Sequence, residues 1–115
     1  MPVRTLIDMA LLDAWLAEFR AMGYLTGSDI RVLERDDETD PDTGLIVVDL
    51  TEAKTVTYLQ PIAGGDGSWK ATMEAREATI ELGCVELVNL GNELNVLGAL
   101  VSFLETKSKA LLAAS

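Results

Sequence analysis

The stretch DIRVLERDDETDPDTGLIVVDLTEAKTVTYLQ, residues 29–60, decides the fold. It contains three short runs rich in β-branched and alternating apolar residues, 29–34, 45–50 and 55–60, which suit a pleated, half-buried surface. The links between them are brief. TEAK, residues 51–54, and the acidic segment from Glu34 to Gly44 are each short enough to close an antiparallel hairpin. Three neighbouring strands of a mainly antiparallel sheet are therefore expected.

Beyond Gln60, Pro61 and the glycine-rich AGGDGS of residues 63–68 break the third strand. In WKATMEAR, residues 69–76, Trp69, Ala71, Met73 and Ala75 alternate with Lys70, Thr72, Glu74 and Arg76, which predicts a fourth strand. Residues 77–82 admit three readings: a prolonged strand after a phase shift, an extra strand, or the start of the last helix. Upstream, Thr5 and Asp8 have the spacing of a variant capping box, predicting a helix from near Leu6. Leu12, Trp15, Leu16 and Phe19 recur at helical spacing, and Gly23 offers a left-handed stop. Ile7, Leu11 and Met22 fall outside that stripe, so this helix is expected to touch more than one surface.

The strongest helical signal runs from Cys84 to about Ala110. Leu87, Leu90, Leu94, Leu97, Val101 and Leu104 alternate spacings of three and four, a zipper-like seam for helix packing or a homodimer contact. Val85, Val96, Ala99, Leu100 and Phe103 form a second apolar face, more than one neighbouring sheet would cover. With Leu87 and Leu94 at the a positions, Gly91 and Gly98 take e and Glu86 and Glu93 take g. The opposite charges that pair a parallel zipper are absent, so a globular helix contact is favoured over a free coiled coil.

The 115 residues, nearly half of them hydrophobic, thus read as a single two-layer α+β domain of order α-β-β-β-β-α. Its terminal helices pack on one face of a four-stranded, mainly antiparallel sheet. The lone Cys84 permits no intrachain disulfide, reads as a buried core thiol, and fits a cytoplasmic setting. The N-terminal residues carry acids within their apolar part and do not read as a signal peptide. The uncharged apolar run of residues 94–104 is too short to span a bilayer.

Charge narrows the function. The net charge of −10 opposes the phosphate backbone, and the nine Lys and Arg are scattered, so nucleic-acid binding is disfavoured and a basic protein is the easier partner. Glu34, Asp36, Asp37, Glu38, Asp40 and Asp42 stand against a single Arg35, so one segment carries half of the net charge. An EF-hand loop begun at Asp36 would set Pro41 where glycine must turn and Val47 where the terminal glutamate belongs. A solvated hairpin loop is the preferred reading; Asp36, Asp37, Glu38, Asp40 and Asp42 are the candidate contacts for a basic partner, and no metal site is expected. AGGDGS lacks the lysine and Ser/Thr of a phosphate-binding loop and reads as a connecting turn.

Without histidine, the Ser-His-Asp and Cys-His arrangements and His-containing zinc sites are excluded. Asp49 and Glu81 lie in apolar settings but read as outward-facing acids, so no catalytic residue and no cofactor are expected. The sequence points to non-catalytic protein binding by a homodimer. Two alternatives are a small-molecule or carboxylate-dependent pocket lined by Trp15, Phe19, Tyr58 and Trp69, and a nucleic-acid mimic, which the bunching of the acids opposes.

Overall fold

Asp8 has extended backbone and its carboxylate accepts the Leu11 N–H at 2.9 Å, satisfying a donor that the first helical turn leaves open. A computed structural model describes residues 8–23, 29–34, 44–62, 66–76 and 78–114. They form α1 (Met9–Ala21), β1 (Asp29–Glu34), β2 (Gly44–Leu50), β3 (Thr55–Pro61), β4 (Trp69–Met73) and α2 (Cys84–Ala114). Asp8 is thus the N-cap of α1 rather than the third residue of a helix begun near Leu6; Thr5 lies outside the described residues. At the other end Gly23 has φ +89° and its N–H reaches the Arg20 carbonyl at 3.1 Å, the left-handed stop expected there.

The sheet order is β1-β2-β3-β4, every pair antiparallel, in the predicted α+β arrangement. Ile30 pairs with Val48, Ile46 with Leu59, Val48 with Thr57 and Pro61 with Trp69, so the apolar positions share one face. Against that face pack Leu12, Trp15, Leu16 and Phe19 of α1 and Val96, Leu97, Leu100 and Leu104 of α2. The helices meet each other through Phe19 and Phe103, ring centroids 5.6 Å apart, and through Lys107 to Glu18 at 2.6 Å. On the far face Val47 is buried between its cross-strand neighbours Arg31 and Tyr58.

β4 ends three residues earlier than its alternation suggests, and only Trp69 in it is buried; Ala71 and Met73 are exposed although they face the helix side. Residues 78–83 join no strand or helix. Of AGGDGS, residues 63–65 lie outside the described residues; its last three residues lead into β4, held by the Ser68 N–H to Asp66 Oδ1 at 2.9 Å, which keeps the Asp66 carboxyl below its usual range. Gly67, at φ +90°, lies so close to α2 that a Cβ there would stand 2.6 Å from Lys109 Cγ.

Among the described residues, hydrogen bonds tie α2 to the sheet side at two places. Glu93 Oε1 accepts the Glu52 N–H at 3.0 Å in the β2–β3 turn. Some 18–22 Å along the helix, at about 1.5 Å per residue, Glu105 accepts the Trp69 N–H at 2.9 Å and Ser108 Oγ accepts the indole N–H at 2.7 Å. That separation is about the length of the seven-residue β3 at roughly 3.4 Å per residue, so α2 crosses the sheet once between these ties. Residues 84–88, about 7 Å of helix, run on past the turn, whereas Asn89, Leu90 and Asn92 still border it.

Thr57 sits in the middle of the inner face, fully buried, and its Oγ1 makes no hydrogen bond. A buried hydroxyl without a partner costs stability, and valine has the same shape. Thr57→Val is expected to stabilise the fold by about 1 kcal/mol, read as a higher urea midpoint at unchanged slope; a lower midpoint would show that the hydroxyl is satisfied.

Candidate functional site

Between Glu86 and Glu105 the helix carries one charge, Glu93, and the structure buries it. Glu93 is 4% exposed; its Oε1 takes the Glu52 N–H while its Oε2 is buried without a hydrogen bond. The opposing turn, residues 51–54, is closed by the Lys54 N–H to the Leu50 carbonyl at 2.9 Å and holds Lys54 at φ 53°, a conformation that is unfavourable for a side-chain-bearing residue. Thr51 and Glu52 of this turn and Asn89, Asn92 and Glu93 of α2 line a recess of about 260 Å³.

On the other flank of the same turn an apolar groove of about 350 Å³ runs between sheet and helix, lined by Leu50, Ala53, Met73, Leu90 and Leu94 among others. Met73 is 50% exposed in it and Leu94 43%. Beyond the groove the free end of α2 presents Val85, Leu87 and Val88, at 69%, 55% and 67% exposure. Cys84, the first residue of α2, is exposed, not the core thiol its sequence suggests, because no other described element covers the helix there.

The zipper-like seam does not act as one face. Leu97 and Leu104 are buried, Leu90 and Val101 pack half-buried against the core, and Leu87 and Leu94 are exposed. The buried stripe is Glu93, Val96, Leu97, Leu100, Leu104 and Ser108, drawn from both expected faces and from polar residues the pattern passed over. A straight α-helix turns every 3.6 residues, so a seam at 3.5 drifts off the surface it starts on. Asp36, Asp37, Glu38, Asp40 and Asp42 lie outside the described residues.

The four aromatics do not line a common pocket. Trp15, Phe19 and Trp69 are packed in the core, and Tyr58 is on the opposite face, where its hydroxyl donates to Glu74 Oε1 at 2.8 Å. Asp49 faces outward as expected, 2.8 Å from Arg31 Nη1, and Glu81 is exposed. Among the described residues no three of His, Cys, Asp and Glu gather as a metal-binding group.

The bond to Glu74, then desolvation and the negative charges of Glu74 and Asp49, raise the Tyr58 pKa above its ordinary value of 10.0. A raised value means that the contribution to stability is complete below the unfolded pKa and is lost as pH rises through the folded one. In an absorbance titration, Tyr58→Phe should remove the component that ionises last and Glu74→Gln should bring it to lower pH. An unchanged titration in the glutamine variant would refute the assignment.

No protein family, no curated protein and no solved structure matches this chain.

Proposed function

We propose that the protein is a non-catalytic protein-interaction domain that pairs with a second copy of itself, the free end of each α2 lying in the apolar groove of the other. The carrying observation is the stretch of α2 beyond the β2–β3 turn, where large apolar side chains stand exposed beside a groove of the same character. Contiguous exposed apolar surface of this kind marks an interaction site. A helix that projects and a groove at its root form the two halves of an isologous contact, closed by a two-fold axis.

Charge selects the second copy over a basic partner at this surface. Residues 84–92 contain one charged residue, Glu86, in a chain of net charge −10. Two copies can meet here with little of the repulsion they feel elsewhere. The acidic segment with Asp36, Asp37, Glu38, Asp40 and Asp42 supports a separate role, drawing in a basic protein at a rate that falls with salt.

α2 is long and apolar enough, by length and composition, to cross a membrane, which the shorter uncharged run alone does not suggest. Its ties to the sheet through Glu93, Glu105 and Ser108 favour a helix docked on a domain over one surrounded by lipid. The single cysteine supports a reducing, cytoplasmic setting. Sedimentation equilibrium decides the central point: a dimer is expected at micromolar concentration, and a monomer at high micromolar concentration would overturn the proposal.

A further inference from the structure

β4 is the last strand of the sheet, so its main-chain groups that point away from β3 have no strand beyond them. The Glu74 N–H to the Val56 carbonyl at 3.0 Å and the Ile62 N–H to the Ser68 carbonyl at 2.9 Å set the phase of the β3–β4 ladder. Antiparallel pairs alternate between exchanging both main-chain bonds and exchanging none. Lys70 and Thr72 therefore bond to β3, while Trp69, Ala71 and Met73 aim their N–H and carbonyl groups at the open edge. Glu105 closes one end of that edge by accepting the Trp69 N–H at 2.9 Å. Among the described residues no hydrogen bond reaches the outward groups of Ala71 and Met73, and residues 70–74 are all exposed. An open strand edge is a template for another strand.

We propose that β4 pairs antiparallel with β4 of a second copy about a two-fold axis at Thr72, joining two sheets edge to edge. This goes beyond the groove contact, because the strands meet in the plane of the sheet whereas the groove lies between sheet and helix. The open main-chain groups and the side chains select the same register. With the axis at Thr72, Ala71 faces Met73 of the second copy and exchanges both main-chain bonds with it, which uses the open groups and leaves Trp69 with Glu105. On the far face Lys70 then stands opposite Glu74 of the second copy, and Thr72 opposite its own counterpart. Opposite charges and paired threonines are favourable cross-strand neighbours. Moving the axis to Ala71 calls for the Trp69 N–H that Glu105 holds, and moving it to Met73 sets Lys70 against Arg76. The run Lys70-Ala71-Thr72-Met73-Glu74 is thus complementary to itself read backwards, whereas a purely basic or purely acidic partner strand would match only one of its two charges. Main-chain bonds that replace bonds to water contribute less than buried leucines, so this contact is the weaker one and joins dimers as concentration rises.

The test uses the full chain carrying Cys84→Ser, with one cysteine introduced on β4 and oxidation in a glutathione buffer. Residues opposed in a non-hydrogen-bonded antiparallel pair lie about 4.5 Å apart at Cα, within disulfide reach. Thr72→Cys should therefore give a disulfide-linked pair of chains, roughly tenfold more than Lys70→Cys or Glu74→Cys alone, whose counterparts would stand about 14 Å apart. Mixing the Lys70→Cys and Glu74→Cys chains should restore the product. Ala71→Pro removes an outward N–H and no bond to β3, as proline permits at a sheet edge. It should abolish the Thr72→Cys product with the circular dichroism spectrum unchanged. Leu87→Asp with Leu94→Asp should leave that product in place, which separates this contact from the groove. If Ala71→Pro does not fold, the cysteine mixture still decides, since its positions are exposed. Equal cross-linking at positions 70, 72 and 74, or none at 72, would overturn the proposal and leave the edge to an extended segment of another protein. So would a product that survives Ala71→Pro in a folded chain, or one lost with the two leucine changes.

Discussion

Trp69→Ala is expected to lower the free energy of unfolding by about 3–5 kcal/mol, the range for removing a buried tryptophan. The indole is 4% exposed, at the point where the sheet's last strand meets α2. Its removal leaves a cavity beneath the helix and takes the donor from Ser108 Oγ, which is itself fully buried. Both losses act at a place where α2 is hydrogen-bonded to the sheet. Since small domains are stable by only about 5–15 kcal/mol, this single change should consume a fifth or more of the total. Urea unfolding followed by circular dichroism, with Trp15 as the remaining fluorophore, gives the value. Comparing Trp69→Phe and Ser108→Ala singly and together isolates the hydrogen bond, for which about 1 kcal/mol of coupling is expected. A loss below about 1.5 kcal/mol for Trp69→Ala, well under the usual range, would mean that α2 does not rest on β4 as described.

The second large effect concerns association. Leu87 on the free end of α2 and Leu94, seven residues further on and lining the groove, are both exposed. Leu87→Asp with Leu94→Asp should weaken self-association at least 100-fold while barely changing the stability of the monomer. Burying a leucine contributes about 1.5–3 kcal/mol, and an unpaired carboxylate in the same place opposes burial further. Each change is present twice in a symmetric contact, so the losses accumulate. The readout is the sedimentation-derived dissociation constant alongside a urea melt at low concentration, where linkage between folding and association is small. Equal association in parent and variant would place the contact elsewhere. A variant that fails to fold would mean that these leucines serve the core, against their exposure in the structure.

The fold and the candidate site were legible to different degrees, and for physical reasons. Hydrophobic alternation with two brief links determined the strands: those at residues 29–34, 45–50 and 55–60 lie within one residue of β1, β2 and β3. Helical spacing determined the buried face of α1, Leu12, Trp15, Leu16 and Phe19, without error. These are local properties, set by a period of two or 3.6 that the chain itself carries. The extent of cover is not local. Ala71, Met73, Leu87, Leu94 and Cys84 have the pattern or chemistry of core residues and are exposed, because α2 crosses the sheet once and continues beyond it. Glu93 runs the other way: a charge in sequence, it is buried only because residue 52, forty-one positions earlier, offers it a backbone N–H. The sequence by itself determined which segments form strands and helices and which sides of them are apolar. Only the tertiary structure decided where the layers stop overlapping, and the groove, the recess and the free helix end all lie at that boundary.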